Sequence, residues 1–142
     1  MPLYSNTEKS GAFAYSLAEY GAGYKLSEHL ALGEFACKDG TDIVLVHPDF
    51  PEAFEATRAS LSEHFGIDVP LFFNSGYRTV SYNDEEGGSE FSTHTYGMTG
   101  DMASPVALPR EIARHAQPFF GGIGTYQTFC HCDVWKERKW TR

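Results

Sequence analysis

The chain has 142 residues, 42% of them hydrophobic, which fits one globular domain whose core needs no disulfide bonds. Its net charge of −8 argues against unaided nucleic-acid binding, which needs a concentrated basic patch. No apolar run reaches the ~20 residues of a membrane span, and the N-terminus lacks the basic-then-apolar order of a signal peptide. Three cysteines exclude a fully paired disulfide framework.

The first quarter of the chain carries weak signals. Residues 1–25 show aromatic side chains without a clear period and are expected to form a loosely structured arm or an edge strand. The domain itself is placed at residues 26–142. Ser27 is a candidate cap for a short helical turn, and residues 43–46 (Ile-Val-Leu-Val) indicate a short strand or the approach to the next helix.

The clearest element is a helix over residues 49–65. Asp49 suits the N-cap, Pro51 suits the first turn, and Gly66 follows the last residue. Hydrophobic side chains recur at helical spacing and predict a core-facing stripe, formed by Phe50, Phe54, Leu61 and Phe65.

The second half alternates between short apolar segments and polar turns. We predict a buried strand at residues 69–74, a polar loop at 83–88 and a strand at 97–103. A second helix follows at residues 107–119, and the two strands of a terminal hairpin lie at 123–126 and 128–134. This order indicates an α+β fold, with one domain built from an antiparallel sheet and flanking helices.

Two histidines and an aspartate are the candidate metal ligands. His94 and Asp101 lie seven residues apart, and His131 follows thirty residues later. Two histidines and a carboxylate are a common ligand set for catalytic zinc, with the fourth position open to water. The spacing alone is weak evidence, and the alternative is a loop histidine with a solvated aspartate.

Residues 129–133 read Phe-Cys-His-Cys-Asp. On a strand, alternation places His131 and Asp133 on one face and Cys130 and Cys132 on the other. We therefore expect the cysteines to be buried free thiols. The alternatives are a structural zinc site that uses their thiolates, and a redox role.

Arg78 follows a Ser-Gly turn at the end of a predicted strand. The planar guanidinium binds carboxylates through two parallel hydrogen bonds, so Arg78 is a candidate binder of a substrate carboxylate. The alternative is a surface salt bridge.

Together these motifs resemble the zinc D-alanyl-D-alanine carboxypeptidase family, bacterial and phage peptidoglycan peptidases with a hedgehog-type fold. The resemblance covers roughly residues 25–140. It is carried by Ser92-x-His94-x-x-Gly97-x-x-x-Asp101, by Cys130-His131-Cys132-Asp133 where similar relatives read Val-His-x-Asp, and by Asn74-Ser75-Gly76-Tyr77-Arg78-Thr79.

The resemblance implies that His94, Asp101 and His131 bind zinc and that Arg78 binds a substrate carboxylate. It also implies hydrolysis of the peptide stems of peptidoglycan, of carboxypeptidase or endopeptidase type. Thr99 replaces the usual alanine, and Thr128 stands where many relatives have an acid.

Asp133 is then the nearest carboxylate in sequence, acting either as the general base or as the residue that orients His131. The missing acid motivates a second hypothesis, a catalytically inactive zinc-containing module that binds the cell wall or forms part of a phage structure. We expect a monomer that is cytoplasmic as synthesised, with release by lysis or phage association left open.

Overall fold

The computed structural model describes residues 11–89 and 92–142. These residues form nine strands, five α-helices and one 3-10 helix. In chain order the elements are β1 Phe13–Ser16, α1 Leu17–Tyr20, β2 Lys25–Ser27, β3 Leu30–Ala31, α2 Leu32–Phe35, β4 Ile43–Val46, α3 Asp49–Phe65, β5 Phe72–Ser75, α4 Val80–Glu85, the 3-10 helix Thr93–Tyr96, β6 Thr99–Ala103, α5 Pro109–Ala116, β7 Gly122–Thr125, β8 Cys130–Asp133 and β9 Arg138–Thr141.

A five-stranded sheet with the order β5-β6-β8-β7-β9 forms the centre of the fold. Its first three pairings are antiparallel, and β7 and β8 form the predicted hairpin. The hairpin is not terminal, because β9 follows it and pairs with β7 in parallel. The sheet is therefore mixed. The N–H and C=O groups at the free edge of β7 form hydrogen bonds with β9, and just before β7 Arg138 N donates to Gly121 O at 2.9 Å.

Helix α3 begins and ends where the sequence predicts. Asp49 is its first residue, however, and Pro48 occupies the N-cap position. Gly66 adopts a left-handed conformation, with φ of 71°, and donates its N–H to Ser62 O at 2.9 Å, which closes the helix. Phe50 and Phe54 are fully buried, as the hydrophobic stripe predicts.

Four local predictions differ from the structure. The buried strand predicted at residues 69–74 is the edge strand β5 at residues 72–75, and Phe72 is 54% exposed. Helix α5 is shorter at both ends than predicted. The polar loop expected at residues 83–88 overlaps helix α4, whose N-cap Thr79 accepts a hydrogen bond from Tyr82 N at 3.1 Å. Ser27 lies in β2 rather than capping a helix, and the helical turn α2 begins five residues later.

The core lies between the sheet and helices α3 and α5. Phe50 and Phe54 of α3 meet Phe73 of β5, with ring centroids 6.0 and 5.3 Å apart. Cys130 and Cys132 enter this core from β8 and are fully buried. Each buried aromatic ring contributes roughly 2–3 kcal/mol to folding. The helices cover one face of β8, so its other face is free to carry a site.

The described part of the N-terminal segment joins the fold through β1. This strand pairs antiparallel with β4, from Phe13 opposite Val46 to Ser16 opposite Ile43. The expectation of an edge strand therefore matches residues 13–16, whereas residues 1–10 lie outside the described part of the chain. Among the described helices, none is long and apolar enough to cross a membrane.

Gly97 follows the 3-10 helix directly and lies against the backbone of β4. Its φ is 69°, and a Cβ there would overlap the carbonyl oxygen of Leu45. We expect Gly97→Ala to lower the free energy of unfolding by about 2–4 kcal/mol. The alanine would have to adopt a left-handed backbone conformation and its Cβ would clash with the backbone of Leu45, and both effects destabilise the folded state. Denaturant unfolding measures this. Gly66→Ala is the control, because its φ is 71° but no atom lies within 4 Å, so we expect a loss of only about 1 kcal/mol. Equal losses would contradict the role of the clash.

Candidate metal centre

Strand pairing brings together residues that are distant in sequence. Asp101 of β6 lies directly opposite His131 of β8 in the antiparallel register. His94 comes from the 3-10 helix, where the Ser92 hydroxyl accepts a hydrogen bond from His94 N at 3.2 Å and caps the turn. The three predicted ligands therefore converge on one point at the face of the sheet that the helices leave free.

The donor atoms of these residues surround a common position. Asp101 Oδ2 lies 3.3 Å from His94 Nε2, and Asp101 Oδ1 lies 3.3 Å from His131 Nδ1. One ligand atom from each residue lies within 4.8 Å of the others. The two imidazole rings are 5.4 Å apart and nearly perpendicular, at 79°. This is a compact group of two nitrogens and one carboxylate.

In each imidazole ring, the hydrogen bond made by the nitrogen away from Asp101 determines that the other nitrogen has the free lone pair. His94 Nδ1 lies 2.7 Å from Gly76 O, and a carbonyl oxygen only accepts, so Nδ1 carries the proton. His131 Nε2 lies 2.7 Å from Asp133 Oδ2 in the same way. In the neutral rings, the lone pairs of His94 Nε2 and His131 Nδ1 therefore face Asp101. Two lone pairs and a carboxylate directed at one point fit a cation.

The Asp101 carboxylate supports the same conclusion. Its side chain is 8% exposed, and no described residue makes a hydrogen bond to Oδ1. Burial raises the pKa of Asp101, but His131 and His94 lower it by more, so the carboxylate is charged at neutral pH. Burial lowers the pKa of His131, but the neighbouring carboxylates of Asp101 and Asp133 raise it by more. The local field thus favours positive charge, and a bound cation would satisfy the unpaired oxygen.

Asp133 lies behind His131 in a closed network. It is fully buried, and its Oδ2 accepts from Arg138 Nη2 at 2.6 Å as well as from His131. Its Oδ1 accepts from Trp135 N at 3.1 Å and Arg138 Nη1 at 3.2 Å. Burial raises the pKa of Asp133, but His131 and Arg138 lower it by more. Gly122 of β7 lies opposite Asp133 and leaves space for this carboxylate, which a Cβ would overlap.

Arg78 reaches the metal centre from the turn after β5. Its Nε donates to Ser75 Oγ at 2.9 Å and its Nη1 to Asn83 Oδ1 at 3.2 Å, while Nη2 lies 3.7 Å from Asp101 Oδ2. The side chain is 16% exposed. The guanidinium is therefore held in place with one edge directed at the candidate site.

An open cleft of about 700 Å³ connects these groups with solvent. Besides His94, Asp101, His131 and Arg78, it is lined by an aromatic ledge that consists of Tyr126, Phe129 and Trp140. Tyr126 and Phe129 stack at 4.5 Å, Trp140 Nε1 donates to Tyr126 OH at 3.0 Å, and the Trp140 ring lies 4.9 Å from the ring of His131.

Several residues of the cleft carry no clear signal in the sequence. Glu86, Arg138, Trp140 and Arg142 all line it, but none belongs to a motif with recognisable spacing. The alternation of Arg138, Trp140 and Arg142 along one strand face is the single signal that could have indicated the last three.

Cys130 and Cys132 are buried free thiols, as predicted, and Cys37, for which no prediction was made, is buried too. The sulfur atoms of Cys130 and Cys132 lie 3.6 Å apart on the core side of β8. Burial and the neighbouring Cys130 raise the pKa of the Cys132 thiol. In the described residues, no group of possible metal donors includes a cysteine, so the structure does not support the Cys/His zinc site.

The fold and this donor set define a small α+β protein with a candidate site for one metal ion. The family model described as Peptidase M15 matches residues 27–133, which include all three candidate ligands. The chain therefore belongs to the peptidase M15 family of zinc metallopeptidases, and the predicted resemblance is confirmed. No curated protein matches the chain.

Proposed function

We propose that this protein is a zinc-dependent peptidase that hydrolyses the peptide stems of bacterial peptidoglycan. The observation that carries the proposal is the convergence of His94, Asp101 and His131 at the base of an open cleft in a chain of the peptidase M15 family. The α+β arrangement is compatible with the hedgehog-type fold that the resemblance implies.

His94 Nε2, one carboxylate oxygen of Asp101 and His131 Nδ1 would hold the zinc ion. When bound, zinc lowers the pKa of a water molecule to about 7 and polarises the scissile carbonyl. Gly76 and Asp133 fix the two imidazole rings through their far nitrogens, so the donor atoms are oriented before any ligand arrives.

Arg78 would bind a carboxylate of the substrate beside the metal centre. Ser75 and Asn83 hold its guanidinium, so little side-chain entropy is lost when a carboxylate binds. This carboxylate would belong either to the terminus or to a side chain of the peptide substrate.

Asp133 would act as a positioning residue rather than as the general base. Both of its oxygens already accept hydrogen bonds, and it lies on the side of the His131 ring opposite the donor nitrogen that faces Asp101. A base must reach the water proton directly or through one water molecule. The charge of Asp133 instead increases the basicity of His131 and fixes its tautomer.

Among the carboxylates of the described residues, Glu86 is the one in the cleft that remains for proton transfer. It is exposed at the end of α4, whereas Asp101 already contacts both histidines.

We expect Glu86→Gln to lower kcat by about 100-fold or more without changing zinc content, because loss of a general base has effects of this size. Steady-state kinetics and metal analysis measure this. Glu85→Gln is the control, since Glu85 is exposed on the same helix but does not line the cleft. An unchanged kcat in Glu86→Gln would show that another group accepts the proton of the attacking water molecule.

The proposal is tested by measuring the zinc content of the purified protein and then digesting purified peptidoglycan with and without a chelator. We expect one zinc ion per chain and chelator-sensitive release of fragments. Release of single amino acids would indicate a carboxypeptidase, and release of larger peptides an endopeptidase. If the zinc-loaded protein released no fragments from peptidoglycan, the proposed peptidase activity would be rejected.

That negative result would support the catalytically inactive module instead. One observation favours this second candidate: Thr128, at the position where many relatives carry an acid, is exposed in the turn between β7 and β8 and cannot accept a proton. In that case we expect zinc-loaded protein to sediment with insoluble peptidoglycan without releasing peptide.

A further inference from the structure

Strand β9 forms one wall of the cleft and lies beyond the residues that the family model matches. Side chains alternate along a strand, and Arg138, Trp140 and Arg142 line the cleft. Lys139 and Thr141, between them, line a separate depression beside α5. The last segment of the chain therefore directs two guanidinium groups and one indole toward the substrate side.

Arg142 differs from the other two arginines of the cleft. Arg78 is bonded to Ser75 and Asn83, and Arg138 is paired with Asp133. Arg142 is held through its main chain, which donates to Thr125 O at 2.8 Å. In residues 11–89 and 92–142, no ion pair or hydrogen bond engages its guanidinium. Arg142 thus offers a full set of unused donors on a fixed backbone.

Arg142 is also the cleft arginine whose charge no described ion pair offsets. Arg78 lies 3.7 Å from Asp101 and Arg138 is paired with Asp133, whereas the protein as a whole carries a net charge of −8. An uncompensated positive charge on an acidic protein attracts an anionic ligand to that place.

The spacing between Arg142 and the metal centre matches a short peptide. The Trp140 ring contacts the ring of His131, and Arg142 lies two residues further along, a distance of about 7 Å between Cα atoms. A peptide that extends over the aromatic ledge advances by about 3.3 Å per residue. A side-chain carboxylate one or two residues from the reactive bond would therefore reach Arg142.

We propose that Arg142 is a specificity-determining residue that binds a second carboxylate of the substrate. The preferred substrate is then an anionic stem peptide whose internal carboxylates are free rather than amidated. This inference rests on the proposed function and deepens it, because Arg78 and Arg142 would bind two different carboxylates of the same substrate.

The test uses the zinc-loaded full chain and one stem peptide in two forms, with internal carboxylates free or converted to primary amides. We expect kcat/KM to be about five- to tenfold higher for the free form, as for a partly exposed charge-assisted pair. Arg142→Gln should reduce this ratio to about one by slowing hydrolysis of the free form only. Arg142→Lys should keep part of the preference. Lys139→Gln removes the same charge from the opposite face of β9 and should leave the ratio unchanged.

The inference and the proposed function fail in different ways. If neither peptide is hydrolysed, calorimetry measures the binding of both peptides to the zinc-loaded protein in place of kinetics. If the free form binds more tightly and Arg142→Gln removes this difference, the inference is still supported. A ratio that is the same in Arg142→Gln as in the unmodified protein would overturn it, as would equal binding of the two forms or no binding of either.

Discussion

Substitution of His131 by alanine is expected to abolish zinc binding and peptide hydrolysis together. His131 Nδ1 is one of three donors that converge on the candidate site, and a catalytic zinc site requires three protein ligands. Without the ion, water keeps its high pKa, so we expect hydrolysis to fall by at least about 1,000-fold. Metal analysis and peptidoglycan digestion measure the two losses on the same sample.

Two variants serve as controls for this experiment. His64→Ala removes an exposed histidine on α3, away from the cleft, and should retain zinc and activity. Cys132→Ser tests the alternative thiolate site and should also retain zinc, because Cys132 lies on the core face of β8. Full zinc content and activity in His131→Ala would refute the metal centre. Loss of zinc in Cys132→Ser with a folded protein would support the thiolate site instead.

Substitution of Asp133 by asparagine is expected to weaken both the site and the fold. The amide cannot replace a carboxylate that accepts from His131, Trp135 and Arg138, and the partly buried Arg138 loses its counter-charge. We expect zinc affinity to fall by about 10- to 100-fold, as for loss of a group that orients a metal ligand. The free energy of unfolding of the metal-free protein should fall by about 2–3 kcal/mol.

Chelator competition and denaturant unfolding measure these effects. Asp68→Asn breaks an ion pair of the same type, with Arg58, but the Asp68 side chain is 77% exposed. We expect this control to leave both the stability of the metal-free protein and its zinc affinity nearly unchanged, because solvent screens an exposed ion pair. If Asp133→Asn retained full zinc affinity and lost only kcat, Asp133 would be a general base rather than a positioning residue.

Local sequence information predicted the features that depend on neighbours along the chain. The apolar period of α3 and the glycine after it placed the helix, because its hydrogen bonds and buried face are set within one segment. Strand alternation predicted that Cys130 and Cys132 would enter the core and His131 would face away, because successive side chains point to opposite faces. Residue type suggested His94, Asp101 and His131 as a possible ligand set, and the family resemblance turned this suggestion into a specific expectation.

Tertiary structure alone decided how distant segments meet. The pairing of Asp101 with His131 depends on which strand binds next to β6, and strand partners are chosen by competition among free edges along the whole chain. The segment of β9 has no apolar run of its own, and it becomes a strand because β7 leaves an unpaired edge. The contact of Arg138 with Asp133 and the place of Arg142 at the cleft follow from that pairing, so no pattern in the sequence revealed them.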